Sequence, residues 1–237
     1  MIRRLPVAVS CVVAGFVLGA VWSPPAAAQD QTIDFFVGGF VPRGLDSRGI
    51  DDVLFQDAQF LDFRMKDFRG PTAGAEYLVG LGDFFDAGAS VAVYSASALA
   101  VDAFYTFPSG ADVQSELRLR VIPITATFRY LPLGHHDAIE PYVGAGVGIM
   151  NWRYTETGDF VALDRTIING TFEHSETTVG PVILGGVRVP VGRMRLGGEI
   201  RYQGGKGDLP TDPVTGFSAP TVNLGGFNYL FTVGVRF

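Results

Sequence analysis

From Thr32 onward, apolar residues recur at every second position in a series of short stretches, the period of a β-strand whose side chains point alternately to two faces. The clearest stretch lies at the C-terminal end, where Phe227, Tyr229, Phe231, Val233, Val235 and Phe237 share one face. Gly226, Asn228, Leu230, Thr232, Gly234 and Arg236 share the other. Upstream, Met194, Leu196, Ile200 and Tyr202 alternate with Arg195, Gly197, Glu199, Arg201 and Gln203. Val179, Ile183, Val187 and Val189 alternate with Thr178, Gly180, Val182, Leu184, Gly186 and Arg188, and Pro190-Val191-Gly192-Arg193 links the two as a tight hairpin. Val143, Ala145, Val147 and Ile149, opposed by Glu140, Tyr142, Gly144, Gly146, Gly148 and Met150, pair across Leu131–Ala138 with Ile122, Ile124, Ala126, Phe128 and Tyr130. The inward side of that partner carries Val121, Pro123, Thr125, Thr127 and Arg129. Ala75, Tyr77, Val79 and Leu81, with Glu76 opposed, pair with Ala87, Ala89, Val91 and Val93 across Asp83-Phe84-Phe85-Asp86, and a first strand over Thr32–Val41 turns Asp34 inward.

A single such strand fits a soluble sandwich as well as a membrane barrel. The links separate the two: short ones near Asp83, Leu131 and Pro190 interleave with long ones over 42–72, 96–115, 155–175 and 204–221. The sequence therefore predicts an all-β fold, an antiparallel transmembrane β-barrel of about eight strands with short periplasmic turns and long extracellular loops. Composition adds weight. With 31 glycines, 12% aromatic residues, only 18% charged residues and a mean hydropathy of +0.25, the chain has more apolar surface than a soluble domain readily hides. Beyond residue 28 the longest uncharged run, Pro213–Val235, is broken by Pro220, Asn223, Asn228 and glycines, so it does not read as a spanning helix. A membrane chain without spanning helices has to close its sheet, because lipid offers no partners to backbone N–H and C=O groups.

Residues 1–28 read as a secretory signal peptide, with Arg3 and Arg4 before an apolar core and Ala26-Ala27-Ala28 before the cut, leaving 29–237 as the barrel. Cys11, the only cysteine, falls in the removed segment, so the mature chain has no thiol chemistry. Losing two of 18 basic residues leaves 16 against 24 acidic ones and moves the net charge from -6 to -8, which argues against nucleic acid as a partner.

The end Tyr229-Leu230-Phe231-Thr232-Val233-Gly234-Val235-Arg236-Phe237 resembles the terminal β-signal of bacterial outer-membrane proteins. The segments Ile122–Tyr130 and Pro141–Ile149 resemble strands of the small barrels related to OmpW and to the OmpA and OmpX membrane domains. The resemblance implies residence in the bacterial outer membrane. It also implies delivery by periplasmic chaperones and recognition of Tyr229, Phe231, Val233, Val235 and Phe237 by the barrel-assembly machinery. Those families include structural anchors, adhesins and small-molecule channels, so it constrains fold more than activity. With no peptidoglycan-binding segment after Phe237, the resemblance to the OmpA type extends to the membrane part alone.

The candidate site is the predicted lumen charge: Asp34, Glu76, Glu140 and Glu199 against Arg129, Arg188, Arg195, Arg201 and Arg236. An eight-stranded barrel is just wide enough for its side chains to fill, so these groups should meet and pair, as a structural plug or as a gate. Leu117, Leu119, Val121, Val182, Leu184 and Leu230 form an apolar inward stretch, which resemblance to OmpW connects with passage of small apolar solutes. Arg118 and Arg120 fall on the outward parity at the extracellular end of their strand, where a guanidinium can grip lipopolysaccharide phosphate. The rival readings are a lipid A-modifying barrel enzyme, invited by His174-Ser175-Glu176, and an adhesin acting through the outer loops. His174 and Ser175 are neighbours and should face opposite sides of a strand, whereas the PagL-like deacylases place His and Ser two apart. No catalytic residue, cofactor or metal site is assigned: His135 and His136 are adjacent with no evident third ligand, and Gly144, Gly146 and Gly148 lack nucleotide-loop spacing. Phe55, Phe60, Phe63, Met65 and Phe68 give the first long loop enough apolar mass to cap the barrel or to meet a partner.

Overall fold

Alternation carried through a computed structural model, which describes residues 30–135, 137–162, 164–211 and 217–237, gives eight long strands. These are β1 (Gln31–Pro42), β2 (Gly70–Gly80), β3 (Phe85–Thr106), β4 (Asp112–Tyr130), β5 (Glu140–Val161), β6 (Ile167–Val191), β7 (Met194–Gln203) and β8 (Gly226–Arg236). Each pairs antiparallel with its sequence neighbours, and β1 pairs with β8, Asp34 opposite Gly234, so the ring closes without an exposed edge. A ninth, two-residue strand, Leu61–Asp62, adds to β3 outside the ring. No helix among the described residues is long and apolar enough to cross a membrane. The segment read as a signal peptide, with Cys11, lies outside the described residues, as does His136.

The two faces of the wall follow the sequence parity. On β4, Val121, Pro123, Thr125, Thr127 and Arg129 are buried while Ile124, Ala126, Phe128 and Tyr130 are exposed. Phe35, Val37, Val91, Val93, Val143, Val147, Val179, Ile183, Ile200, Tyr229 and Phe231 extend the same exposed belt around the ring. In water such a continuous apolar girdle would drive association; in a bilayer it is the solvated surface.

Two of the expected long loops are strand instead. β3 and β4 run on to Thr106 and from Asp112, and β5 and β6 run on to Val161 and from Ile167, so 96–115 and 155–175 are mostly projecting hairpins. Beyond the membrane both faces of a hairpin are wet, so its sequence loses the apolar alternation and reads as loop. Cross-strand polar pairs support the ladder there, such as the Thr157–Thr171 hydroxyl contact at 3.2 Å and the bond from Asn169 to Asp159 at 2.9 Å.

The described parts of the remaining two outer links, 43–69 and 204–211 with 217–225, fold back into the barrel mouth. The first carries a short helix, α1 (Val53–Asp57), and the second a two-stranded ribbon, Lys206–Asp208 with Thr221–Asn223. Asp52 ties them together. Its buried carboxylate caps α1 through the backbone N–H groups of Leu54 and Phe55, takes both oxygens to Arg48 at 2.9 Å and accepts the Asn223 N–H at 2.6 Å.

Candidate functional site: the filled lumen

The lumen has a charged floor at the end bearing the short turns and an apolar ceiling beneath the folded loops. In the floor, Arg129 Nη2 lies 2.5 Å from Glu76 and 3.0 Å from Glu199, while Arg201 reaches the same two carboxylates at 3.2 and 2.7 Å. Three strands, β2, β4 and β7 through two of its inward positions, thus contribute to one ring of alternating charge closed by Tyr142 of β5, whose hydroxyl donates to Glu199 at 2.9 Å. The guanidinium carbons of Arg129 and Arg188 each lie 4.8 Å from the centre of the Tyr142 ring. Glycine makes room for this: a Cβ on Gly186 would sit 2.5 Å from the Tyr142 hydroxyl, and one on Gly144 3.0 Å from Arg129.

One level nearer the short turns, Asp86 holds Arg188 at 2.7 Å and His135 at 3.1 Å, with Glu140 3.7 Å from Arg188 and 3.9 Å from Arg195. Arg195 also donates to Thr32 at 3.0 Å. On the inner side of the ring, Arg201 donates to Ser90, which contacts Thr125 at 2.7 Å, and one step further Asn228 donates to Gln203 at 3.3 Å.

Above that level, Phe40, Tyr94, Leu117, Leu119, Val121, Met150, Trp152 and Tyr154 from the wall pack against Val53, Leu54, Phe63 and Phe68 of the first link and Leu209, Phe217, Val222 and Leu224 of the last. The Tyr94 hydroxyl donates to the Phe68 carbonyl, fixing the first link to the wall. At the top of this core two acids are buried, Asp57 on α1 and Glu156 on β5. Asp57 accepts from Ser218 at 2.6 Å and from Tyr154 at 3.3 Å. Loss of solvent around Asp57 pushes its carboxyl up to about 7, the Ser218 and Tyr154 hydrogen bonds offsetting only part of the effect.

Of the residues the sequence placed in the charge network, Glu76, Arg129, Glu199 and Arg201 meet in one ring and Glu140, Arg188 and Arg195 in the layer beside it. Asp34 is buried in the lumen but forms no ion pair among the described residues. Arg236 does not join the buried network: it pairs with Asp30 at 3.0 Å on the partly exposed rim, because its strand ends there. Asp86 and His135 were missed. Asp86 reads as a turn residue, although its parity with Gly88 and Ser90 continues the inward face by one step; His135 has no such cue. Asp57 and Glu156 fall in stretches that read as loops. On the outer wall Arg118 and Arg120 face outward as expected, and Tyr229, Phe231, Val235 and Phe237 line the exposed face of the last strand. His174 and Ser175 sit on opposite sides of β6, His174 with its ring 5.7 Å from Trp152 inside. No group of His, Cys, Asp and Glu among the described residues is arranged to hold a metal ion.

No protein-family model matches the chain, and no curated protein matches it. Among solved structures, the outer membrane protein OprG of Pseudomonas aeruginosa superposes with a TM-score of 0.55 at 11% identity, over 89% of this chain and 96% of that one. Neisserial surface protein A aligns at a TM-score of 0.47 and 14% identity over 88% and 97% of the two chains. The N-terminal barrel of Pseudomonas aeruginosa OprF aligns at 0.45 and 13% identity, also over 88% and 97%. The closed eight-stranded ring, its exposed apolar belt and its likeness to OprG together give this chain the fold of the small outer-membrane β-barrels.

Proposed function

We propose that the protein is a non-catalytic outer-membrane barrel with a self-filled interior, a structural element of the envelope in preference to an open pore. The observation that carries this reading is that the lumen is occupied twice over, by the Arg129–Glu76–Arg201–Glu199 ring and by the apolar links docked above it. Barrels of this width have no spare diameter for a permanent channel past such contents. In planar bilayers the refolded protein should give no sustained conductance; steady ohmic current through the wild type overturns the proposal.

A second reading, a narrow path for small apolar solutes, is favoured by the apolar character of the upper lumen, and it requires the docked links to move. Liposome uptake of an apolar dye should then rise in Leu54→Ala, whose side chain is fully buried in the plug. A lipid A-modifying activity finds less support, since His174 and Ser175 project to opposite sides; unchanged lipid A masses after incubation are expected. An adhesin role would rest on the projecting hairpins, whose contribution a cell-binding assay on tip-deleted protein would measure. In the favoured reading the partners are outer-membrane lipids and lipopolysaccharide, the periplasmic chaperones, and the barrel-assembly machinery acting on Tyr229, Phe231, Val233, Val235 and Phe237.

A further inference from the structure

The outer wall changes character abruptly on one side of the ring. On β4 the outward positions from Tyr130 to Ile122 are apolar or aromatic, about 27 Å along the strand and, at the tilt usual for such barrels, about 20 Å along the membrane normal, most of the apolar band of a membrane barrel. The next outward residue is Arg120, and directly opposite it on β5 stands Arg153. The same row continues to Ser95 on β3 and Ser175 on β6, and Arg118, with Thr155 opposite, lies one outward step higher.

Like charges directly opposite on one face of a sheet repel, and a sheet that keeps such a pair needs something to offset it. The protein supplies only part of this. Arg118 contacts Glu116 at 2.9 Å and Arg153 contacts Glu173 at 3.4 Å, each through one nitrogen on an exposed side chain. Arg120 has no hydrogen-bonding or ionic partner among the described residues. The three guanidiniums surround a depression of about 510 Å³, lined also by the hydroxyls of Ser95, Thr155 and Thr157 and by the carboxylates of Glu116 and Glu173, which leaves one arginine charge in excess. In a chain with an acidic excess overall, this is a basic notch at the level where the phosphates of the outer leaflet begin, just past the hydrocarbon.

We propose that Arg118, Arg120 and Arg153 form a binding site on the outer wall for a phosphate of a phosphorylated glycolipid in the outer leaflet. Arg120 and Arg153 present their forks from adjacent strands to one phosphate group, Ser95 and Thr155 offer hydroxyl donors beside them, and the acyl chains lie along Ile122, Ile124 and Ile149 below. The site rests on the reading of the chain as a membrane barrel, but not on whether its lumen is closed.

The test is native mass spectrometry of the mature chain refolded in detergent, titrated with bis-phosphorylated lipid A, with enzymatically dephosphorylated lipid A, or with inorganic phosphate. Folding is followed in the same samples by heat-dependent gel mobility, so a chain that never forms a barrel sinks the membrane reading and is distinguished from a folded barrel that fails to bind. Lipid A should be retained by the wild type, at least tenfold more weakly by Arg120→Gln/Arg153→Gln, and weakly by the wild type once dephosphorylated. Arg64→Gln, which removes an exposed arginine outside the notch, should leave retention unchanged. Equal retention by the double variant, equal retention of dephosphorylated lipid, or binding of inorganic phosphate as tight as that of lipid A would each overturn the proposal.

Discussion

Replacing Arg129 with methionine isolates the charge ring. The guanidinium is fully buried between Glu76 and Glu199, so its loss leaves two buried carboxylates facing Arg201 alone. Breaking a buried ion pair by removing one partner costs about 3–5 kcal/mol, because an uncompensated charge stays behind. Here Arg201 still reaches both acids, which puts the expected loss near the lower bound, about 3 kcal/mol. Adding Glu76→Gln removes one of the stranded charges and should restore about 1–2 kcal/mol, a coupling that only neighbours in one network display. The assay is equilibrium urea unfolding in lipid vesicles, followed by fluorescence. Trp152 is the sole tryptophan outside the segment read as a signal peptide, and it lies buried in the barrel mouth. A loss below about 1 kcal/mol in Arg129→Met, or a double variant no more stable than the single changes sum to, would show that the ring does not hold the barrel as argued.

Other consequences follow from the same contacts. Truncating Leu54 or Phe68, both wholly buried where the first link meets the wall, should weaken docking by about 2–5 kcal/mol and open Trp152 to acrylamide quenching while the gel mobility of the folded barrel is kept. The docked links should also loosen as pH rises. The Asp57 carboxyl, lifted by burial to about 7 from an unfolded value near 4, favours docking fully below about pH 4. That contribution declines between about pH 4 and pH 7 and is absent above. Trp152 quenching should therefore increase across that interval, and Asp57→Asn should shrink the change, leaving the part due to Glu156, which burial pushes up to about 8; a wild-type profile that is flat or reversed refutes the assignment. Phe237→Ala should lower the amount of folded barrel recovered from cell membranes while leaving refolding in detergent unchanged, since the exposed ring contributes to recognition during assembly and not to the core.

The membrane-crossing part of the fold was legible because lipid on one side and a crowded lumen on the other impose opposite chemistry on successive residues. Ile124, Thr125, Ala126 and Thr127 declare their faces in order. Where that contrast disappears, so does the reading: around Thr157 and Thr171 water lies on both sides, and strand passes for loop. The inward charges were legible by parity, but not their pairing, because which of Glu76, Glu140 and Glu199 meets Arg129 depends on the stagger of strands around the ring. Asp86 was hidden by its closeness to a turn. The docking of 43–69 was visible only as apolar mass in Phe55, Phe60, Phe63, Met65 and Phe68, and that of 204–211 and 217–225 not at all. Nothing periodic links Asp52 to Asn223, 171 positions away, although their 2.6 Å bond joins the two links.

The most direct measurement is a cysteine scan along β4 of the inserted protein, made clean by the absence of cysteine after Cys11. Each variant is reacted with a small charged methanethiosulfonate and with a lipid-soluble maleimide. Cysteines at 122, 124, 126 and 128 should react only with the lipid-soluble reagent, those at 118 and 120 with the charged one, and those at 121, 125 and 127 with neither. Reaction of 121, 125 and 127 with the charged reagent would mean a water-filled pore, and loss of the alternation would contradict the barrel itself.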